Sequence, residues 1–112
     1  MRLCAPVTDE GLIDRRWCRA NRVAVAQVAG DRIVDWQEFD VGWNELHDAG
    51  TDSEHHARMA EFLRNHAVNA VVVDHMGRCM RSTLDRMEVA IHPGAAGVAR
   101  AAVEEAARAE AR

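Results

Sequence analysis

Six consecutive residues, Asn69-Ala70-Val71-Val72-Val73-Asp74, constrain this chain most. Adjacent valines do not alternate with polar residues, so a strand built on them is apolar on both faces. Such a strand belongs inside a parallel or mixed sheet with covering layers on both sides. His75-Met76-Gly77-Arg78 then turns the chain into a helix that places Met80, Leu84 and Met87 on one stripe. A strand–turn–helix unit of this kind cannot bury itself, so further strands and helices must come from the rest of the chain.

They are readable. Arg2 to Val7 is a short apolar strand buried on both faces, followed by a polar loop over residues 8–21. Arg22 to Ala29 and Arg32 to Val41 flank Gly30-Asp31, a two-residue turn signal, and predict a hairpin. After an irregular stretch over residues 42–52, Thr51 and Glu54 have capping-box spacing, and a helix follows through residue 67 with Met59, Phe62 and Leu63 at helical spacing. Glu88 to Ile91 predicts a short strand broken by His92-Pro93-Gly94, and Val98 to Arg112 a final Ala-rich helix. The order β-β-β-α-β-α-β-α predicts an α/β fold with a mixed five-stranded sheet and helices on its faces. The first, fourth and fifth strands are expected to be parallel. At 112 residues, 1–112 is expected to form a single domain.

This topology directs attention to one edge. In open α/β sheets, ligands bind beyond the carboxyl ends of the parallel strands. With the second strand as the antiparallel member, the third also ends on that edge. The connecting segments there carry His47, His55, His56, His75 and His92, with Cys18 and Cys79. Imidazole and thiolate are strong ligands for transition metals. His92 sits awkwardly beside Pro93, and His66 lies at the far end of its helix. The expected metal set is therefore Cys18, His47, His55, His56, His75 and Cys79. Their spacing matches no structural zinc motif, which favours an open mouth for an exchangeable ligand. His55 shares a helical face with Met59, Phe62 and His66, so core packing is its competing role. Arg16, Arg19 and Arg78, with Gly77 opening a helix, suit an anion, so Arg19, Gly77 and Arg78 are the expected cofactor-binding residues.

Other function classes fit less well. The formal charge is −4, and all 14 basic residues are arginines interleaved with acids, which argues against nucleic acid. Apolar runs fall far short of the ~20 residues of a membrane helix. No secretory signal is readable at the N-terminus, and three scattered cysteines make no disulfide framework, so a cytoplasmic location is expected. A two-metal nuclease needs converging carboxylates, and Leu3-Cys4-Ala5 of the first strand offers none. Cys79 with His75 one helical turn earlier is a weaker, enzymatic alternative to metal ligation. Trp36 and Trp43 are candidates for an exposed patch toward a protein partner or homodimer, core packing being the competing role of Trp36.

The chain resembles the dinitrogenase iron–molybdenum cofactor-binding family. The similar stretches are APVTDEG (Ala5 to Gly11), WCRAN (Trp17 to Asn21), HHARMAEFL (His55 to Leu63), VVVDHMGRCM (Val71 to Met80) and HPGAAG (His92 to Gly97). Their order and spacing carry the resemblance. It implies a ribonuclease-H-like three-layer fold. It also implies a non-enzymatic accessory protein that binds or carries an iron–sulfur or iron–molybdenum cluster. The alternative is a sensor or binding module for a small anion or a transition metal ion, acting through a partner. Two positions depart from the family's usual His-Phe-Gly-Arg-Ala stretch. Arg16 stands in place of histidine and Cys18 in place of glycine. A guanidinium has no lone pair to offer a metal, whereas the Cys18 thiolate is a ligand that iron favours.

Overall fold

The computed structural model describes residues 1–110. Five strands, β1 (Arg2–Val7), β2 (Arg22–Ala29), β3 (Arg32–Asp40), β4 (Ala70–Val72) and β5 (Ala90–His92), form one sheet in the order β3-β2-β1-β4-β5. Four helices accompany them: α1 (Trp43–Leu46), α2 (Asp52–Asn65), α3 (Arg78–Arg86) and α4 (Ala99–Glu110). β1 pairs antiparallel with β2 and parallel with β4, and β5 runs parallel to β4. β3 is antiparallel to β2 and so runs with β1. The carboxyl ends of β1, β3, β4 and β5 therefore share one edge, as expected with β2 the antiparallel member.

The sheet separates two apolar layers. On one face Cys4, Val23, Val25, Val71 and Val73 pack with Met59 and Leu63 of α2 and Met80 and Leu84 of α3. On the other, Leu3, Ala5, Val7, Ala70 and Val72 pack with Ala99, Val103, Ala106 and Ala107 of α4. The valine run thus feeds both layers, which is why its residues could not alternate with polar ones. The result is a three-layer α/β sandwich. Among the described residues no helix is long and apolar enough to cross a membrane.

Local chemistry accounts for the boundaries. Thr51 Oγ1 accepts from the Glu54 backbone N–H at 3.1 Å and caps α2. The hairpin turns through Gly30 at φ +64°, a conformation glycine adopts without strain. α2 ends earlier than its apolar spacing suggested, at Asn65, because Ala67 takes φ +52° and turns the chain toward β4.

Three expectations need correction. The one-turn helix α1 is additional: it is too short to leave a periodic signal. β5 is displaced toward the C-terminus, and His92 is its last residue rather than its breaker, because it pairs with Val72. Trp43 does not form an exposed patch; it is 2% exposed and meets Trp17 edge-on at 5.0 Å and Phe62 at 5.8 Å between ring centroids. Trp36 is half-buried, with the Arg100 guanidinium 4.7 Å above its ring. Residues 111 and 112 of the expected final helix lie outside the described residues.

Leu84 is wholly buried under the α3 layer. Leu84→Ala should lower the free energy of unfolding by about 2–5 kcal/mol, through lost transfer energy and a residual cavity. Urea denaturation would measure it, and a change under 1 kcal/mol would mean that α3 is not part of the cooperative core.

Candidate functional site

The edge where four strands end carries a cleft of ≈ 610 Å³. One wall is the 15–19 stretch of the loop after β1, and the other is the turn from β4 into α3, residues 75–80. Asp52 and His56, from the first turns of α2, complete the lining. The floor is apolar: Trp17, Met76 and Met80 are each under 5% exposed.

Two hydrogen bonds hold the first wall. His55 is 2% exposed; its Nε2–H donates to the Cys18 carbonyl at 2.7 Å, and its Nδ1 accepts from Arg58 Nη1 at 2.7 Å. A guanidinium can only donate, so Nδ1 must carry the lone pair and the ring is the neutral Nε2–H tautomer. Burial pushes the His55 pKa below the ordinary histidine value, and the Arg58 charge acts in the same direction. The Cys18 carbonyl opposes the shift without overcoming it. Arg19 adds an exposed ion pair, 3.4 Å from Asp48, between the same loop and the segment after α1. Arg15 Nε lies 3.3 Å from Asp74 at the end of β4.

The candidate residues divide on this geometry. Cys18, His56, His75 and Cys79 line the cleft together with Arg16, Arg19, Gly77 and Arg78. Cys18 is half-buried, Cys79 and His75 are exposed, and all three cysteines of the chain are free thiols. Neither His56 nor His75 has a ring hydrogen bond among the described residues, so their lone pairs are available. His47 and His55 are not among the lining residues. Their rings meet edge-to-face with centroids 5.3 Å apart, and His47 Nδ1 lies 3.2 Å from Asp48 Oδ1. That contact is the main reason the Asp48 carboxyl sits below its ordinary range. His92 is engaged with Glu110 at 2.6 Å. His66 packs at a tilt against both Phe62 and Phe39, with centroids 4.4 and 4.6 Å away. Cys4 lies in the core, where burial pushes its thiol pKa far up.

Among the described residues no three of the His, Cys, Asp and Glu side chains are gathered closely enough to hold a single metal ion. Sequence reasoning missed the floor. Trp17 stands in the WCRAN stretch of the resemblance, but nothing in its spacing marks it as part of a cleft floor. Met80 was assigned to the helix's buried stripe, yet it also closes the cleft. The His55–Arg58 pair was visible as i,i+3 spacing but not as a loop anchor.

The His55 bridge predicts a pH dependence. Because its folded pKa is lowered, the unfolded chain binds a proton more readily below the ordinary histidine value of about 6.5. The stability that the neutral ring provides is complete above that value. It declines as pH falls toward the folded pKa. His55→Gln can keep both a donor and an acceptor without titrating. Wild type should therefore lose more stability between neutral and mildly acid pH than His55→Gln does, by urea denaturation. Equal losses would mean that His55 does not carry the effect.

The comparisons with known proteins concern the whole fold. The crystal structure of PH0822 superposes with a TM-score of 0.74 at 14% identity, over 96% of this chain and 89% of that one. The NMR structure of TM1290 from Thermotoga, described as a candidate NifB protein of the DUF35 family, gives a TM-score of 0.63 at 18% identity over the same shares. At these identities the likeness is one of fold. No curated protein matches the sequence. The family model for the dinitrogenase iron–molybdenum cofactor matches residues 1–109. The chain belongs to that family, one of non-catalytic accessory factors.

Proposed function

We propose that this protein carries an iron–sulfur or iron–molybdenum type cluster as cargo in the cleft between the β1 loop and the start of α3. Cys18 and Cys79 are its thiolate donors, and His56 and His75 its imidazole donors. The observation that carries the reading is the lining of one cleft by these four groups, whose side chains have no competing partner among the described residues. Family membership supports it, as does the printed description of TM1290 as a candidate NifB protein. The sheet order β3-β2-β1-β4-β5, with β2 the antiparallel member, supports a ribonuclease-H-like assignment of the sandwich.

The dispersal of the donors favours a cluster over a single ion. A single zinc ion needs three or four donors at about 2.0–2.3 Å, hence within a few ångström of one another. A multinuclear cluster presents several iron atoms over a wider span and can be met from opposite walls. Donors on a loop and a helix start also suit release, because neither wall has to unfold to let the cargo leave. Arg16, where the family usually has histidine, cannot ligate, and Cys18 two residues on takes over that role.

Protein purified without oxygen and reconstituted with iron and sulfide should turn brown and retain both. Cys18→Ala and Cys79→Ala should each lose most of the bound iron, while His92→Ala should retain it. Metal analysis and visible absorbance measure this. Unchanged loading in Cys18→Ala would remove the proposed role of that thiolate, and a colourless wild type would remove the cluster reading.

A further inference from the structure

Two neighbours in the first turns of α2 serve different surroundings. His56 lines the cleft, while His55 is 2% exposed and reaches the loop after β1. Successive helical residues point about 100° apart, so one turn of helix can address both.

The loop of residues 8–21 is pinned near both ends. Asp14 N–H donates to the Pro6 carbonyl at 2.9 Å, and the Ala20 carbonyl accepts from Trp43 N–H at 3.0 Å. Between these points the Trp17 ring packs on Trp43. The Cys18 carbonyl has one hydrogen-bond partner among the described residues, His55 Nε2–H at 2.7 Å. A peptide unit is planar, so holding that carbonyl holds the whole plane after Cys18. The direction in which the Cα–Cβ bond carries the thiol is fixed with it.

The His55 ring is itself held from behind. Its Nδ1 accepts from Arg58 Nη1 at 2.7 Å, and that Nη1 lies 3.5 Å from the Leu46 carbonyl. Arg58 stands three residues along the same helix, so the ring is braced by α2 alone. A buried imidazole with both nitrogens satisfied has nothing left for a ligand. Its role lies in what it holds.

We propose that His55 is a positioning residue of the cleft. Through the Cys18 carbonyl it ties the Cys18 thiol to the same turn of α2 that presents His56. The spacing of these two donors is then set by a helix and not by the loop that carries one of them. Cys79 and His75, on the other wall, lie outside this clamp. Toward a metal the role rests on the cargo reading; toward the thiol's placement it stands without metal.

The three free thiols lie at different depths, with Cys4 buried, Cys18 half-buried and Cys79 exposed. Metal-free protein is alkylated with iodoacetamide at one fixed pH, and peptide mass spectrometry follows each cysteine separately. His55→Leu should speed alkylation of Cys18 about tenfold, the factor to which one lost hydrogen bond amounts, while Cys4 and Cys79 keep their wild-type rates. His55→Gln retains a donor and an acceptor and should restore the wild-type rate at Cys18. Arg58→Met leaves His55 in place without its brace. It should speed Cys18 to a smaller extent, and it decides the matter if His55→Leu does not fold. A Cys18 rate unchanged in the folded variants, or one that rises only together with that of Cys4, would overturn the role. After reconstitution with iron and sulfide, His55→Leu should give up iron to bipyridyl faster than wild type, and His55→Gln should not; equal release would remove the part of His55 in holding metal. The two readings fail separately. A wild type that takes up no iron removes the cargo and leaves the thiol result standing, whereas an iron-loaded wild type with an unresponsive Cys18 removes the role of His55 alone.

Discussion

β1 is held between an antiparallel neighbour and a parallel one, and both of its faces are covered. That double burial decides the rest. Leu3, Ala5 and Val7 must find α4, while Cys4 must lie under the layer of α2 and α3. No polar side chain on β1 is tolerated without a partner, because an unpaired buried polar group costs roughly 1–3 kcal/mol. The pairings of β1 also fix direction. With β2 reversed, β3 returns parallel to β1, and four strands deliver their following segments to one edge. The cleft is a consequence of strand direction before it is a consequence of any ligand.

The same constraint explains what was legible in the sequence. The Asn69–Asp74 run could only be a doubly buried strand, and Thr51 with Glu54 announced the start of α2 through a bond that is there at 3.1 Å. Those are local or periodic signals. Strand direction was recoverable because hairpins alternate and β-α-β crossovers do not. The roles of individual side chains were not recoverable in the same way. Whether His55 offers a lone pair depends on Arg58, and on a carbonyl 37 residues away at Cys18. Whether Trp43 is exposed depends on Trp17, from another loop. Such closures are set by how segments meet in space, and no period in the chain encodes them.

Histidine number was therefore a poor guide to the site, and histidine engagement a better one. His55 and His92 have ring nitrogens committed to fixed partners, His47 is drawn to Asp48, and His66 is packed against aromatic rings. Those four hold the protein together at its loops and helix ends. His56 and His75 remain, and they stand with Cys18 and Cys79 on the cleft. Of six histidines, two line the cleft with no ring hydrogen bond among the described residues, and the division follows from where lone pairs are already used.

The Cys18 position brings the two halves of this division together. Its carbonyl is held at 2.7 Å by the buried His55, while its thiol belongs to the cleft lining. Backbone and side chain of one residue thus face different surroundings: the carbonyl is tied to α2, and the sulfur is a free thiol on the cleft lining. A ligand on a loop is ordinarily imprecise, because loop backbone moves. Here a part-buried hydrogen bond from a ring that is itself 2% exposed holds the Cys18 backbone. Protonation of His55 reverses the role of Nδ1 from acceptor to donor and places two cations together at Arg58. The anchor is therefore strongest when the ring is neutral. One imidazole outside the cleft thereby couples the position of the Cys18 wall to pH.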